Sequence, residues 1–336
     1  MDFDFSEEQN MLRATVRDLL AKECTPRDVR AMWESETGRS ADRWRKLGEL
    51  GVLGLNLPEQ YGGSGMDEID MVAVLEEAGR AILPEPLLEA AAVGGPLLAR
   101  AGTDAQKQAW LPRLAAGQTT VSIGLEGQPY VNDANADLLI LEREGELHAV
   151  TQDRLTVTPV PALDGARRLF KVTAELDGET LMAPAGDHAA WAFDHAAAAA
   201  AAELVGIAEA MLTQAVEYAK VREQFGRKIG SFQAIQHKLA ECLLLVESAK
   251  SASYYAAYAL AHDLPDASIH VSVAKAYASD AERRMNYEAL QIHGGIGFTW
   301  EHDLHLWLKR GRALEAAYGD ADWHRRRISD WVYTSN

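Results

Sequence analysis

Between residues 222 and 237 the chain reads Arg222-Glu-Gln-Phe-Gly-Arg-Lys-Ile-Gly-Ser-Phe-Gln-Ala-Ile-Gln-His237, and a second motif, Gln291-Ile-His-Gly-Gly-Ile-Gly297, follows later. Arg222 lies at the end of a predicted helix, where a guanidinium can donate paired hydrogen bonds to a diphosphate, and Gly226 permits a turn. The pair Gly294-Gly295 would let a ligand lie directly on the backbone, with amide N–H groups facing phosphate or adenine edges. Both motifs therefore predict a surface that binds an anionic cofactor.

The composition narrows the classes of protein to which this chain can belong. Its 336 residues are 48% hydrophobic, enough to bury more than one structural unit, and its formal net charge is -17. Because nucleic acids and anionic membranes bind basic surfaces, this charge argues against either as a partner. The alanine-rich run 196–202, flanked by His195 and Glu203, is not expected to span a membrane.

Cysteine usage and the amino terminus bear on the compartment. The two cysteines, Cys24 and Cys242, cannot form a disulfide framework and lack the spacing of a metal site, so no metal ligand is predicted. The first residues are acidic instead of a basic stretch followed by an apolar one, and no signal peptide is expected. These features fit a reduced, cytoplasmic compartment.

Hydrophobic periodicity divides the chain into three segments, at residues 1–118, 119–188 and 189–336. The first segment is helical and opens on the capping box Ser6-Glu-Glu-Gln9. The second contains short β-prone runs between turn residues, at 119–123, 138–141, 155–160 and 170–172. The third carries two apolar stripes at helical spacing, which are Leu204, Ile207, Met211, Ala215 and Tyr218, and then Phe232, Ile235, Leu239, Leu243 and Val246. The chain is therefore predicted to be mainly α with a small β domain.

Four local matches, in order along the chain, resemble the acyl-CoA dehydrogenase family. They are the segments 47–63 and 110–117 and the two motifs at 222–237 and 291–297. The resemblance covers nearly the whole chain and implies a helical N-terminal domain, a reduced β middle domain and a C-terminal four-helix bundle. It also implies FAD as the cofactor, shared across a subunit interface.

In the resembled family the arginine and the Gln-x-x-Gly-Gly segment reach the FAD of a neighbouring chain. By that resemblance, six residues are assigned to cofactor contact: Arg222, Gln224, Phe225, Gln291, Gly294 and Gly295. The simpler alternative makes Arg222 a solvated cation at a helix end and Phe225 a core residue.

The other half of such a site departs from the family. Acyl-CoA dehydrogenases carry, after the segment matching 111–117, a Thr-Glu-Pro stretch that leads to Gly-Ser-Asp and holds the flavin ring and thioester. Here that place reads Val121-Ser-Ile-Gly-Leu-Glu-Gly-Gln-Pro-Tyr130, with neither the threonine nor Gly-Ser-Asp. The resemblance therefore predicts that the chain's own cleft is closed or cut down.

The residue that should act as the family's base is also missing. The reaction needs a glutamate carboxylate to remove an α-proton from the acyl thioester while the β-hydrogen leaves as hydride to the flavin. The resemblance places this glutamate either at Tyr318 or near Ala196, with Ala197 where an arginine usually stands. None of these is acidic, and an unperturbed tyrosine has a pKa of about 10. No catalytic residue is predicted in this chain.

Three acids near these locations remain alternatives: Glu203, Asp320 and, more weakly, Glu126. The simpler interpretation makes Glu203 a carboxylate on a helix surface and Asp320 a turn or cap residue. With either acid as base, the chain would be a self-sufficient homotetrameric dehydrogenase. A third alternative is a non-enzymatic helical interaction protein that has lost the flavin.

The preferred hypothesis is that the chain resembles the shorter, non-catalytic subunit of the heteromeric bacterial dehydrogenases that act in steroid side-chain catabolism. The resemblance implies an α2β2 heterotetramer with two FAD molecules, in which a catalytic partner subunit holds most of the acyl-CoA substrate. It further implies an electron-transfer flavoprotein as the electron acceptor.

Overall fold

The computed structural model describes residues 4–334, and within that range it contains eleven α-helices and nine β-strands. The helices are α1 Glu7–Glu23, α2 Pro26–Glu34, α3 Ala41–Glu49, α4 Glu68–Arg80, α5 Gly95–Ala101, α6 Asp104–Ala115, α7 Gly186–Val221, α8 Gln233–Ala261, α9 Ala267–His293, α10 Leu304–Ala316 and α11 Ala321–Thr334. The strands are β1 Val121–Gly124, β2 Val131–Asn132, β3 Leu138–Arg143, β4 Glu146–Thr151, β5 Leu155–Val160, β6 Leu169–Ala174, β7 Leu181–Pro184, β8 Glu223–Gln224 and β9 Arg227–Lys228. The predicted class, mainly α with a small β region, is confirmed.

Contacts between residues group the chain into two compact units. The first unit takes in residues 4–26, 75–82 and 200–334, and the second takes in residues 27–74 and 83–199. Because the units interleave along the sequence, they do not test the domain boundaries after residues 118 and 188, which stay a prediction.

The β region of the second unit consists of two small sheets. One has the strand order β1-β3-β4-β7, with β1 and β3 parallel and the other pairs antiparallel, and the second has the order β2-β6-β5. Leu139, Leu141, Val150 and Phe170 form their shared apolar core. Each of the four predicted runs overlaps a strand. The sequence analysis missed β2, β4 and β7, which are short or begin with polar residues.

The helical part of the second unit contains one π-helix, Leu88–Gly94, all of whose residues are buried. Gly94 packs so closely on β1 that an added Cβ would lie 2.8 Å from the side chain of Val121. Glu89 on this π-helix is paired with the buried Arg167 at 2.9 Å. The contact between a π-helix and β1 explains why all four residues of that strand are buried.

In the first unit, α4 and α7 cross at a very short distance. A Cβ added to Gly206 would lie 1.9 Å from the carbonyl oxygen of Glu76, and one added to Gly79 would lie 2.1 Å from that of Glu203. Only glycine allows two helix backbones to approach in this way. The carboxylates of Glu76 and Glu77 are buried, and Arg13 of α1 pairs with both of them.

The alanine-rich part of α7 packs inside the protein, since six of the seven alanines from 196 to 202 are buried. Among the described residues α7 is the one helix long and apolar enough to cross a membrane, yet 83% of its most apolar window is buried inside the protein. The core helix of a globular protein passes the same test. The alanine run therefore carries no membrane assignment.

The two predicted stripes have different outcomes. In the first, Leu204, Ile207, Met211 and Ala215 are fully buried, as predicted. The prediction for the second stripe, on α8, is wrong in part: Val246 is buried, but Leu243 is 49% exposed, and its neighbour Leu244 is 68% exposed.

Candidate functional site

The motif at residues 222–237 forms a tight hairpin directly after α7. Strands β8 and β9 pair in antiparallel register, and the backbone N–H of Ile229 donates to the carbonyl of Arg222 at 2.8 Å. Between the strands, Phe225 and Gly226 have φ values of 55° and 77°, the two positive angles that a type I′ turn requires. The turn that Gly226 was predicted to permit is present. An aromatic residue at positive φ is strained, and such strain concentrates at functional sites.

Phe225 is 92% exposed, so the alternative that made it a core residue is wrong. The rings of Phe225 and Phe232 meet edge to face with their centroids 6.2 Å apart. The guanidinium of Arg227 lies over the Phe232 ring, 4.0 Å from its centroid. Phe232, the first residue of the second apolar stripe, is only half-buried and packs against the hairpin. Arg222 and Gln224 are exposed as well, so their donors are accessible to a ligand or a partner.

The Gly-Gly motif follows the end of α9. Gly294 has φ 63° and ψ -142°, a conformation that an L-residue rarely adopts. A Cβ added to Gly294 or Gly295 would meet no atom within 4 Å, so the backbone there faces open space. Gln291, one turn earlier, is exposed. The surface therefore has the open backbone that a ligand lying on a Gly-Gly pair needs.

An aromatic contact brings the two motifs to the same part of the first unit. The ring of Tyr218, at the end of α7, stacks on His293, at the end of α9, with centroids 4.4 Å apart. Burial lowers the pKa of His293, and its Nδ1–H donates to the carbonyl of Ala289 at 2.8 Å, so its ring packs here as a neutral group. Arg222 and Gly294 follow these two rings in sequence. The ends of α7 and α9, from which the two motifs continue, are therefore in contact.

The location expected for the family's base is a loop between α10 and α11. Tyr318 lies in it with φ 55° and is 6% exposed, and Gly319 follows with φ 86°. The fully buried Lys275 donates from Nζ to the carbonyls of Glu315 and Gly319, at 3.0 and 2.9 Å. A buried cation thus holds the loop by its backbone, whatever the side chain at position 318.

A second buried side chain holds the same loop. Nε2–H of His324 donates to the carbonyl of Tyr318 at 2.9 Å, and Nδ1 lies 3.1 Å from the hydroxyl oxygen of Ser272. Burial, together with the charge of Lys275, lowers the pKa of His324 to about 4. The sequence analysis missed both Lys275 and His324, because neither lies in a motif and their partners are backbone carbonyls, which any residue type supplies.

The alternative acids have different environments. Asp320 is exposed and accepts the backbone N–H of Trp323 at 2.8 Å, so it is the cap residue that the simpler interpretation described. For Glu203 that interpretation is wrong, because the residue is 5% exposed and lies inside the packing of α7. Glu126 is exposed and accepts the N–H of Glu144 at 2.8 Å. Ala196 and Ala197 are fully buried and offer no polar side chain.

The segment that replaces the family's Thr-Glu-Pro stretch uses its polar side chain internally. Ser122 is fully buried, and its hydroxyl donates to the carbonyl of Asn132 at 2.6 Å. Across residues 4–334 no group of three histidine, cysteine, aspartate or glutamate side chains could hold a metal ion. That the chain's own cleft is closed or cut down stays a prediction.

Comparison with known proteins identifies the class. The model of the acyl-CoA dehydrogenase N-terminal domain matches residues 6–118, and that of the acyl-CoA dehydrogenase C-terminal domain matches residues 186–333. The chain belongs to the acyl-CoA dehydrogenase family, a family of oxidoreductases whose members bind FAD.

Within this family, the chain is similar to one curated protein in sequence and to two solved structures in fold. The chain is 38% identical over 330 residues to acyl-CoA dehydrogenase IpdE2 of Mycobacterium tuberculosis, covering 98% of each. It superposes with a TM-score of 0.90 on a chain of the ChsE4-ChsE5 complex of Mycobacterium tuberculosis, at 25% identity and over 99% of both chains. It also superposes on a chain of a steroid acyl-CoA dehydrogenase, Tcur3481-Tcur3483, with a TM-score of 0.88, at 25% identity and over 98% of both chains.

Proposed function

We propose that this chain is the non-catalytic subunit of a heteromeric, FAD-dependent acyl-CoA dehydrogenase. The observation that carries the proposal is Tyr318: its loop is held in place by Lys275 and His324, yet the side chain is not the carboxylate that the reaction requires. A chain that keeps the cofactor motifs and lacks the base fits a division of labour between two subunits.

The names of the similar proteins support a proposal for the substrate class. Two of the matched structures are named for two different components each, and one is described as a steroid dehydrogenase. The proposed substrate is therefore a CoA thioester of a steroid side chain, bound mainly by the partner in an α2β2 assembly. An electron-transfer flavoprotein as acceptor and a cytoplasmic location complete the proposal.

In this assembly FAD supplies the hydride acceptor for the α,β-dehydrogenation. The guanidinium of Arg222 is exposed and can bind the diphosphate by paired charge-assisted hydrogen bonds. The open backbone at Gly294 and Gly295 can donate N–H groups to the same cofactor, and Phe225 presents an exposed ring at the tip of its hairpin. All of these residues bind and orient the cofactor, and none of them moves a proton.

The direct test is to co-express the chain with the reading frame next to its own gene and to measure subunit mass, FAD content and acyl-CoA oxidation. Tyr318→Phe should leave turnover unchanged, because the hydroxyl takes no part. Arg222→Met should lower the FAD content of the purified complex, whereas Arg326→Met, the same change at an exposed arginine of α11, should not. If the chain alone retains a full complement of FAD and oxidises an acyl-CoA, the proposal is wrong.

A second candidate, a self-sufficient dehydrogenase, is favoured by one observation: Glu203 is buried, and burial is how enzymes tune a carboxylate to act as a base. In that case Glu203→Gln should abolish turnover by the chain alone. In the heteromer the same substitution should leave turnover intact. Asp320 is the weaker base, since it is exposed and caps α11.

A further inference from the structure

A stacked pair of rings, Tyr218 and His293, adjoins the residues assigned to FAD. The ring centroids are 4.4 Å apart, and the ring planes differ by 24°. Gly294 follows His293 in the sequence, and the backbone N–H of Arg222 donates to the carbonyl of Tyr218 at 2.9 Å. Each ring therefore lies within about one helical turn of one of the two cofactor motifs.

His293 is fixed against the motif that it precedes. It is 4% exposed, and its Nδ1–H donates to the carbonyl of Ala289, one turn earlier, at 2.8 Å. His302 meets its ring edge to face with centroids 4.8 Å apart, and a Cβ added to Gly297 would lie 3.0 Å from the Cβ of His293. Because the imidazole packs against residues 294–302 in this way, a shift of the ring shifts that segment.

Tyr218 is joined to the other motif through the last turn of α7. A Cβ added to Gly230 would lie 2.8 Å from the carbonyl oxygen of Ala219, so the segment after the hairpin packs on that turn. The N–H of Ile229 donates to the carbonyl of Arg222 at 2.8 Å and closes the base of the hairpin. The hairpin is thereby held on the turn that carries Tyr218.

The groups assigned to the cofactor are on the outer side of the two motifs. Phe225 is 92% exposed, and a Cβ added to Gly294 or Gly295 would meet nothing within 4 Å. Binding groups on two separate segments hold one ligand well only if their separation matches it, and a misplacement of about 1 Å weakens such a site strongly. The stack between the ends of α7 and α9 is a contact that can set this separation.

We propose that Tyr218 and His293 are positioning residues for FAD. Their stack holds the ends of α7 and α9 together and keeps Arg222 and the backbone of Gly294 at the separation that the cofactor requires. The proposal rests on the proposed function, because it takes both motifs to contact FAD. The two rings act through the motif residues and take no part in proton or hydride transfer. Since the stack depends on two ring faces, an aliphatic side chain does not replace either of them.

The test is the rate at which FAD leaves the co-expressed complex, measured as the flavin absorbance that stays with the protein after dilution and filtration. Tyr218→Leu and His293→Leu each remove one ring and should speed the release roughly three- to tenfold, the worth of one aromatic pair. Tyr218→Phe keeps the ring and should release FAD as the parent does. The double variant Tyr218→Leu/His293→Leu should release FAD no faster than the faster single variant, because the two rings form one contact.

Tyr258 provides the matched control. Its ring stacks on His262 at the end of α8, with centroids 4.0 Å apart and planes that differ by 25°. This stack lies about 38 Å along α8 from Gln233, where the hairpin motif enters the helix. Tyr258→Leu should therefore leave the rate of FAD release unchanged. Melting temperatures measured in parallel should show every variant folded at the temperature of the assay.

The results that would overturn the proposal are distinct. If the parent complex holds no flavin, the proposed function and this inference are both wrong. If the parent complex holds flavin and Arg222→Met loses it faster, but Tyr218→Leu does not, only this inference is wrong. Equal acceleration by Tyr258→Leu and Tyr218→Leu, or acceleration only in variants that also unfold during the assay, would likewise show that the stack does not position the cofactor.

Discussion

At the scale of single residues, Lys275 and His324 show how buried side chains can fix the backbone of a loop independently of the side chain that the loop presents. Lys275 is fully buried on α9, and its ammonium group donates to the carbonyl of Glu315 in the last turn of α10 and to that of Gly319 in the loop that carries Tyr318. Both contacts are to backbone carbonyls, so they do not depend on the side chain at position 318. The loop can therefore keep its backbone geometry with a tyrosine at position 318.

Replacing Lys275 should destabilise the protein. Lys275→Met keeps most of the side-chain length but leaves the carbonyls of Glu315 and Gly319 without their donor, which we expect to cost about 1–3 kcal/mol. The measurement is urea unfolding followed by circular dichroism. Lys220→Met, the same change at a side chain that is 62% exposed, should stay within about 0.5 kcal/mol of the parent. Equal effects of the two substitutions would contradict the role given to Lys275.

His324 should make stability depend on pH in a defined window. Its folded pKa of about 4 lies below the ordinary value of 6.5, so the unfolded chain binds the proton more readily between these two values. Stability is then full above pH 6.5 and falls as the pH drops toward 4. The expected loss from this residue between pH 7 and pH 5 is about 2 kcal/mol.

The variant His324→Gln isolates this contribution. Glutamine can donate to the Tyr318 carbonyl as the histidine does, but it does not titrate. Unfolding free energies measured at pH 7, 6 and 5 should therefore decline less steeply in the variant than in the parent. His237→Gln, at an exposed histidine, serves as the matched control. Parallel pH profiles for the parent and His324→Gln would show that this histidine is not responsible.

At the scale of elements, the crossing of α4 and α7 depends on the absence of two side chains. Gly206→Ala would place a Cβ 1.9 Å from the carbonyl of Glu76, a backbone atom that cannot move away by changing rotamer. We expect a loss of about 3 kcal/mol or more in unfolding free energy. Gly178→Ala, where an added Cβ meets nothing within 4 Å, should be close to neutral in the same measurement. A neutral Gly206→Ala would mean that the helices cross less closely than described.

The sequence predicted elements well where one pattern determines them. The capping box at Ser6 forms with both hydrogen bonds, and the run 155–160 coincides with β5. Prediction from the sequence failed for β4. This strand begins with an exposed glutamate and forms by pairing with β3, without an alternation of apolar and polar residues that would mark it in the sequence. Prediction also failed for Lys275 and for the stacking of Tyr218 on His293, because contacts between residues far apart in sequence leave no local pattern.

At the scale of the whole molecule, the half-exposed stripe on α8 has a physical explanation in the proposed assembly. A helix that is apolar on more than one side needs neighbours on more than one side. Cys242 and Val246 face the interior of this chain, but Leu243 and Leu244 do not. If the chain is one subunit of a heteromer, a second chain covers Leu243 and Leu244. The apolar stripe then predicts burial in the assembly, although not in the single chain.

This explanation predicts that Leu244→Glu weakens assembly with the catalytic partner. The leucine is 68% exposed in the single chain, so a carboxylate there costs little before association but must lose its water when the partner binds. Native mass spectrometry of the co-expressed proteins should show less heterotetramer, with a matching fall in FAD per chain, while the melting temperature of the isolated chain is unchanged. Met11→Glu, at another exposed apolar residue of the first unit, 65% exposed on α1, should leave assembly intact. Full assembly of the Leu244→Glu variant would show that this face of α8 is not the one the partner covers.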